Sequence, residues 1–394
     1  MTDPVVAFHH VDIVFGKKRD EALALLDSGG ERSDIHDRTG AVIGVADATF
    51  DVGEGEICVL MGLSGSGKST LVRAVNGLNK PARGQVLVRD GERTVDVAAC
   101  SQATLRHLRM HRIAMVFQQF GLLPWRTVAE NVGFGLELAG VKEAERKERV
   151  QRQLELVGLS EWAGKHAHEL SGGMQQRVGL ARAFATEAPI LLMDEPFSAL
   201  DPLIRNRLQD ELLDLQRQIK RTIIFVSHDL DEALKLGTRI AIMEGGRVVQ
   251  YAEPQDIVLK PANEYVADFV AHMNPLNVLT GATLMKPLAA IERRGDALVL
   301  DGDRELTLTL VGDRCPGKAT LAGKHVPIVN IEADEPAQWP HPGLAVARPD
   351  APMRTIIEAR RRTGLPVLLA EGGELVGMVG DEEIYSGLLH RATS

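Results

Sequence analysis

The chain has 394 residues, enough for two or three domains, and a formal net charge of −9 at neutral pH. It has no basic stripe, which argues against a nucleic-acid partner or direct binding to an anionic membrane surface. No apolar run approaches the roughly 18 residues of a spanning helix. The start, Met1-Thr2-Asp3-Pro4, lacks the basic and apolar segments of a secretory signal. The cysteines are few and far apart, which favours a reducing compartment and forms no metal-ligand spacing: Cys58, Cys100 and Cys315.

The octapeptide Gly62-Leu63-Ser64-Gly65-Ser66-Gly67-Lys68-Ser69 fits the phosphate-loop pattern G-x-x-x-x-G-K-[ST] at every fixed position. The apolar run Ile57–Met61 before it predicts a buried strand, and the run from Thr70 to Val75 predicts a helix. Backbone N–H groups at such a helix start bind phosphate. We expect Lys68 to reach the β- and γ-phosphates and the Ser69 hydroxyl to bind Mg²⁺. The candidate nucleotide-binding residues here are Gly62, Ser64, Gly65, Ser66, Gly67, Lys68, Ser69 and Thr70.

Two later apolar strands are each followed by residues suited to phosphate chemistry. Asp194 and Glu195 follow the run 189–193, and His228 follows the run 223–227. Ligands of open α/β sheets collect at the carboxyl ends of the strands, so these side chains should lie near the phosphate loop. We expect Asp194 to hold Mg²⁺ through water and Glu195 to polarise the attacking water.

A third motif, Leu-Ser-Gly-Gly-Met-Gln-Gln-Arg at residues 170–177, predicts an exposed helix start. Ser171 is a good helix N-cap, and Gly172 and Gly173 leave room for close approach of another molecule. The stretch Met174–Ala185 contains good helix formers. A helix N-terminus without a negative charge of its own is a site for an anion such as a phosphate.

These motifs resemble the nucleotide-binding subunit of ATP-binding-cassette (ABC) transporters over about residues 5–270. By this resemblance Gln118 is the Q-loop residue that contacts Mg²⁺, Asp201 belongs to the D-loop, and His228 is the switch histidine. Phe15 is similar to the aromatic residue that stacks on adenine; a core role for a single Phe in a strand is the alternative. A charged insertion, 17–44, follows it and predicts two short helical pieces around the loop Ser28–Asp34.

The family implies an α/β fold, in which a RecA-like core carries an antiparallel β subdomain and a helical subdomain at about 122–185. It further implies a head-to-tail homodimer that binds two ATP molecules with Mg²⁺, each between the phosphate loop of one subunit and the 170–177 motif of the other. The other implied partners are integral membrane permease subunits and, indirectly, a periplasmic substrate-binding protein. The implied location is the cytoplasmic face of the inner membrane, where the protein would be peripheral. Trp125, after the Q-loop, is interpreted as either a contact with the membrane partner or a core residue.

A second domain, 276–394, is predicted after a linker at Asn274-Pro275, with the ATPase domain covering 1–273. Its last fifty residues alternate helix, strand, turn, strand and helix, a pattern that resembles half of a cystathionine-β-synthase-type (CBS) tandem. Residues 276–342 match the other half poorly, so the domain is interpreted as a degenerate CBS-like regulator.

This tail and the insertion resemble the importer ATPases for glycine betaine, proline betaine and choline, with the choline type preferred. An ABC ATPase of another importer class remains an alternative, as does a nucleotide-gated regulator without a membrane partner. A DNA-maintenance ATPase is a further alternative, but such proteins carry a long coiled coil between the two motifs. Here about a hundred residues separate them, without sustained heptads.

Overall fold

The structure, a computed structural model, describes residues 4–271, 278–312, 314–331, 339 and 341–389. The chain forms two compact units. The first unit runs to Ile257 and includes Ala262–Phe269; the second contains Val258–Pro261 and the chain from Val270 onward. The predicted linker at Asn274-Pro275 lies outside the described residues. Within the described ranges, no helix is both long and apolar enough to cross a membrane.

The first unit contains two β-sheets. The smaller is antiparallel with strand order β2-β1-β4-β5, formed by β1 (Val6–Phe15), β2 (Val42–Val52), β4 (Arg83–Asp90) and β5 (Arg93–Asp96). The larger has the order β10-β9-β3-β8-β7-β6, formed by β3 (Ile57–Met61), β6 (Ile113–Val116), β7 (Ile190–Asp194), β8 (Thr222–Val226), β9 (Arg239–Glu244) and β10 (Arg247–Ala252). Five of its strands are parallel and β10 is antiparallel at the edge.

Every residue of β3, β7 and β8 is buried, as expected for parallel strands covered on both faces. Helix α3 (Lys68–Val75) starts from the phosphate loop and contributes Leu71 and Val72 to the main core. That core also includes residues of both sheets, such as Phe8 from β1 and Val226 from β8. The phosphate loop is therefore anchored on both sides by rigid elements, as the sequence predicts.

Most remaining helices of this unit begin at side-chain caps. Ser171 and Asp201 each accept a hydrogen bond from a backbone N–H of the helix they start, and Thr127 with Glu130 forms a capping box. The helices are α1 (Arg19–Asp27), α2 (Arg32–Thr39), α4 (Gln102–His111), α5 (Val128–Leu138), α6 (Glu143–Leu156), α7 (Gly172–Ala185), α8 (Pro202–Ile219) and α9 (Leu230–Leu236). Helices α5, α6 and α7 pack against one another. Two more, α10 (Pro254–Leu259) and α11 (Glu264–Val270), lie where the two units meet in the sequence.

The insertion forms the two predicted helices, α1 and α2, but the loop between them is shorter than predicted. Helix α2 begins at Arg32, inside the stretch 28–34 that was predicted to be a loop. The insertion also has a small core of its own, in which Ile35 is fully buried beside Ala22 of α1 and Ile43 of β2. This packing holds α2 against the sheet, so α2 is not a helix that only projects into solvent.

The second unit likewise contains two sheets, and each of them has five strands. One is antiparallel, with β12 (Arg293–Arg294), β13 (Ala297–Asp301), β14 (Leu306–Val311), β15 (Cys315–Leu321) and β16 (Lys324–Val326) in sequential order. The other is mixed, with order β11-β20-β19-β18-β17, formed by β11 (Lys286–Pro287), β17 (Ile328–Asn330), β18 (Leu344–Ala347), β19 (Val367–Glu371) and β20 (Glu374–Val379). Its helices are α12 (Gly281–Leu284), α13 (Met353–Thr363) and α14 (Asp381–Leu389).

The predicted order of elements in the last fifty residues is confirmed by α13, β19, β20 and α14. Helix α13 buries Ile356 and Ala359 against β18 and β19, as its amphipathic pattern predicts. The described residues between 293 and 326 instead form consecutive antiparallel strands, with no helix between them in that part of the chain. The resemblance to a CBS tandem stays a prediction for the tail.

Candidate nucleotide-binding site

The carboxyl ends of the parallel strands border an open cleft of ≈ 480 Å³. Strand β3 leads into the phosphate loop, β7 into Glu195, and β8 into His228, so three motifs that are distant in sequence meet at one sheet edge. The cleft is lined by Phe15, Arg32, Val42, Gly44, Ser64, Gly65, Gly67, Lys68, Ser69, Thr70, Gln118, Glu195 and His228. Gly62 and Ser66 belong to the same loop but lie toward the protein interior and do not line the cleft.

The phosphate loop is tightly folded around the Lys68 ammonium group. Lys68 Nζ donates hydrogen bonds to the carbonyl oxygens of Gly62 at 2.8 Å and Leu63 at 2.9 Å. Burial lowers the pKa of Lys68, and the carboxylates Glu195 and Asp194 act in the opposite direction. Gly62 and Gly67 have φ of +137° and +103°, and a Cβ at either would come within 2.1 Å or 2.3 Å of a neighbouring carbonyl oxygen. Only glycine fits these two positions.

Asp194 ends β7 as a fully buried carboxylate with two partners. Its Oδ1 accepts a hydrogen bond from Ser69 Oγ at 2.7 Å. Its Oδ2 accepts from both Nη2 of Arg73 at 2.8 Å and Nε at 3.2 Å, so this arginine from α3 neutralises the buried charge. The hydroxyl and the carboxylate predicted to bind Mg²⁺ therefore lie in direct contact.

The Glu195 carboxylate lies beside two other side chains predicted to act in catalysis, those of Gln118 and His228. Its Oε2 accepts a hydrogen bond from Gln118 Nε2 at 3.0 Å and lies 3.7 Å from His228 Nδ1. The backbone of Glu195 has φ of +51°, a conformation that a non-glycine residue adopts only when its surroundings hold it. Gln176 of α7 provides such support: its Nε2 donates to the Glu195 carbonyl oxygen at 3.1 Å.

Phe15 lies at the end of β1 with 40% of its surface exposed, on the wall of the cleft. This exposure argues against the alternative that Phe15 is a core residue. Val42, which pairs with Phe15 across the β1–β2 ladder, lines the same wall and is 45% exposed. An exposed aromatic ring beside an exposed aliphatic side chain suits the faces of a planar base.

The cleft lining does not include Ser171, Gly172 and Gly173 of the 170–177 motif, and it does not include Asp201. Ser171 Oγ caps α7 by accepting from Met174 N, and Asp201 caps α8 by accepting from Ile204 N at 3.0 Å. The start of α7 is exposed and lies beside the segment before α8, since a Cβ at Gly173 would be 3.1 Å from the Ala199 carbonyl oxygen. The structure of the single chain does not bring these residues to the cleft.

Comparisons with known proteins agree with this geometry. Residues 45–198 match the family described as "ABC transporter". The glycine betaine/proline betaine transport system ATP-binding protein ProV of Salmonella typhimurium is 42% identical, over 96% of this chain and 93% of that protein. The glycine betaine/carnitine transport ATP-binding protein GbuA of Listeria monocytogenes is also 42% identical, with 93% of each chain covered. The chain belongs to the family of ABC transporter ATP-binding subunits.

The solved structure of a dimeric bacterial ABC transporter cassette, MJ0796, supports the fold of the first unit of this ABC ATPase. The match covers 63% of this chain and 98% of that chain, with a TM-score of 0.55 and 28% sequence identity. The same cassette is also known in a post-hydrolysis state bound to ADP and Pi. The predicted P-loop ABC fold is therefore confirmed, and membership of the family of ABC transporter ATP-binding subunits agrees with the predicted ATP site.

The preference for a choline-type ABC ATPase receives less support than the family itself. The choline transport ATP-binding protein OpuBA of Bacillus subtilis is 35% identical over 71% of this chain and 78% of that protein. The two glycine betaine relatives are more similar and cover more of the chain. Resemblance of the tail alone could not separate the two subgroups.

Five residues of this ABC ATPase site were not predicted from the sequence: Arg73, Gln176, Val42, Arg32 and Gly44. Arg73 and Gln176 stand on predicted helices, but the sequence does not show which strand end each helix face meets. A signal existed for Gln176, because a large amide on the buried side of an apolar helix requires hydrogen-bond partners. Arg32 lies in the stretch 28–34 that was predicted to be a loop, and Val42 and Gly44 lie at the end of the insertion, where no site residue was predicted.

Proposed function

We propose that this chain is the ATP-hydrolysing subunit that energises import of glycine betaine or a related methylated amine such as choline. Support comes from relatives of nearly the same length whose names give glycine betaine transport. The cleft carries the proposal chemically, because it brings the phosphate loop, Asp194, Glu195 and His228 to one sheet edge. The proposed partners are permease subunits in the membrane and, through them, a periplasmic substrate-binding protein. The chain would then be peripheral on the cytoplasmic face of the inner membrane.

The proposed assembly is a head-to-tail homodimer. One subunit alone leaves the start of α7 exposed and away from its own cleft, although Ser171, Gly172 and Gly173 have the features of an anion site. A second copy would place these residues, with Asp201, over the partner's phosphate loop. The solved ABC cassette MJ0796 is dimeric, which supports a dimer for this chain.

The residues present fit ATP and Mg²⁺. Gly62 and Gly67, which have no room for a Cβ, keep side chains out of the phosphate loop. The oxygen-only set of Ser69, Asp194 and Gln118 has the ligand chemistry that Mg²⁺ prefers. Bound Mg²⁺ would neutralise phosphate charge. Lys68 would hold the terminal phosphates, Glu195 would accept a proton from water, and His228 beside Glu195 would orient the phosphate.

The test is reconstitution of the chain in vesicles with the proposed permease and substrate-binding subunits. Uptake of labelled glycine betaine and of choline is measured together with ATP hydrolysis. We expect ATP-dependent uptake of at least one of these amines, and no uptake with Glu195→Gln although the complex still assembles. Arg38→Ala, an exposed change in the insertion, serves as the matched control with normal uptake.

Two of the alternative functions would give different results. Assembly and ATP hydrolysis without uptake of either amine would indicate another importer class. ATP hydrolysis that is stimulated by DNA, without co-purification of membrane subunits, would indicate DNA maintenance and would refute the proposal.

A further inference from the structure

Helix α2 of the insertion places one arginine in the wall of the nucleotide cleft. Arg32, the first residue of α2, donates through Nη1 to the Gly65 carbonyl oxygen at 3.2 Å and through Nη2 to the Ile43 carbonyl oxygen. Gly65 belongs to the phosphate loop and Ile43 to β2, so the guanidinium bridges these two walls. The insertion therefore contributes directly to the cleft, which its sequence did not suggest.

The charge of Arg32 is not balanced by a carboxylate. Both of its hydrogen-bond acceptors are neutral carbonyl oxygens, and within the described ranges no acidic side chain lies within ion-pair distance of it. Partial burial alone lowers the pKa of Arg32, with no acidic group acting against it. A guanidinium keeps its charge in any such setting. Its five N–H donors exceed the two acceptors that it uses here, which leaves donors for an anion.

The position along the cleft indicates which part of a nucleotide this cation would meet. At one side lies Phe15, whose ring packs on Gly44, the residue after Ile43. At the other side lies the phosphate loop at Gly65. With the base on Phe15 and the terminal phosphates on Lys68, the phosphates nearest the ribose would pass between these sides. Arg32 is the charged residue of the lining that lies between them.

We propose that Arg32 is a nucleotide-binding residue that the insertion supplies, and that its guanidinium pairs with the ribose-proximal phosphates of ATP and ADP. This inference rests on the proposed function, since it concerns the same cleft. It gives the insertion a role in nucleotide affinity. The competing explanation is a brace, in which Arg32 only ties Gly65 to Ile43 and its charge is irrelevant.

The experiment measures ATP and ADP affinity by calorimetry without Mg²⁺, across a KCl series, for the full chain and four variants. Arg32→Ala removes charge and donors, Arg32→Lys keeps the charge without the planar fork, and Arg32→Gln keeps amide donors without the charge. Arg38→Ala removes an exposed arginine of the same helix. Thermal melting without nucleotide reports on folding of each variant.

We expect Arg32→Ala and Arg32→Gln to weaken both nucleotides roughly tenfold, the scale of one charge-assisted hydrogen bond. Arg32→Lys should retain most of the affinity, Arg38→Ala should retain all of it, and the salt dependence should become shallower in Arg32→Gln. Normal affinity in Arg32→Gln, with Arg32→Lys as weak as Arg32→Ala, would show a brace and overturn the proposal. Unchanged affinity in all variants would overturn it too. If the unaltered chain binds neither nucleotide, the proposed function itself fails.

Discussion

Gln176→Ala should slow ATP hydrolysis far more than it weakens ATP binding. The Gln176 side chain is 1% exposed and joins two segments: its Nε2 donates to the Glu195 carbonyl oxygen at 3.1 Å, and its Oε1 accepts from Ala199 N at 3.0 Å. After truncation the Glu195 carbonyl still accepts from Ser198 Oγ at 3.1 Å. The Ala199 N–H is left without this partner, at a cost of about 1–3 kcal/mol.

Truncation also removes the Gln176 contact that helps to hold the Glu195 backbone at φ +51°, so part of this free energy is lost where the carboxylate is positioned. If most of it appears as displacement of the carboxylate, kcat should fall about 10- to 100-fold, at about 1.4 kcal/mol for each factor of ten. None of the Lys68 contacts is altered, so the ATP dissociation constant should stay within about threefold. The assay combines steady-state ATP hydrolysis with calorimetric ATP binding on the same preparations.

Two further variants sharpen this test. Gln176→Glu keeps an acceptor for Ala199 N but loses the donor to Glu195, so it isolates the contact with the catalytic residue and should also be slow. Gln151→Ala, on the exposed face of α6, should behave as the unaltered chain. An unchanged kcat in Gln176→Ala, or a loss of ATP binding in proportion to kcat, would refute the reasoning.

Three other predictions concern the same cleft and the tail. Glu195→Gln should bind ATP and accumulate as an ATP-bound dimer but hydrolyse it at least ~10²-fold more slowly, and normal turnover by a phosphate-release assay would remove its assignment as general base. Phe15→Ala should weaken ATP and GTP alike by ~1–3 kcal/mol in calorimetry, whereas lower thermal stability with unchanged affinity would argue against stacking. A chain ending at Met273 should fold and hydrolyse ATP, because every cleft residue belongs to the first unit, yet lose the salt dependence of vesicle uptake; identical salt curves would contradict a regulatory tail.

The sequence predicts the elements that carry the phosphate loop with high accuracy. The strand predicted at Ile57–Met61 is β3, and the helix predicted from Thr70 begins two residues earlier, at Lys68. These elements are local: an apolar run, a glycine-rich turn and a helix start are all visible within twenty residues. Parallel pairing of β7 and β8 then brings His228 near Glu195 by a general property of such sheets.

Contacts between distant helices and strand ends could not be predicted in the same way. The pair Arg73–Asp194 joins residues far apart in sequence, and its formation depends on the rotation of α3 against β7. Arg32 is harder still, because a charged insertion without a long apolar stripe gives no sign of which side faces the protein. The single buried Ile35 decides that orientation, and one apolar residue is too weak a pattern to read alone.

The hydrogen bonds of Lys68 have a consequence for how ligand binding begins. In the structure its ammonium group already has oxygen partners from Gly62 and Leu63, and Ser66 Oγ lies 3.4 Å away. An arriving triphosphate therefore meets a preformed loop, in which its charged oxygens replace neutral oxygens as hydrogen-bond partners of Lys68. The cost of ordering a flexible loop was met when the chain folded, so little conformational entropy remains to be lost. Discrimination at this position then depends on the charge of the incoming oxygens rather than on their number.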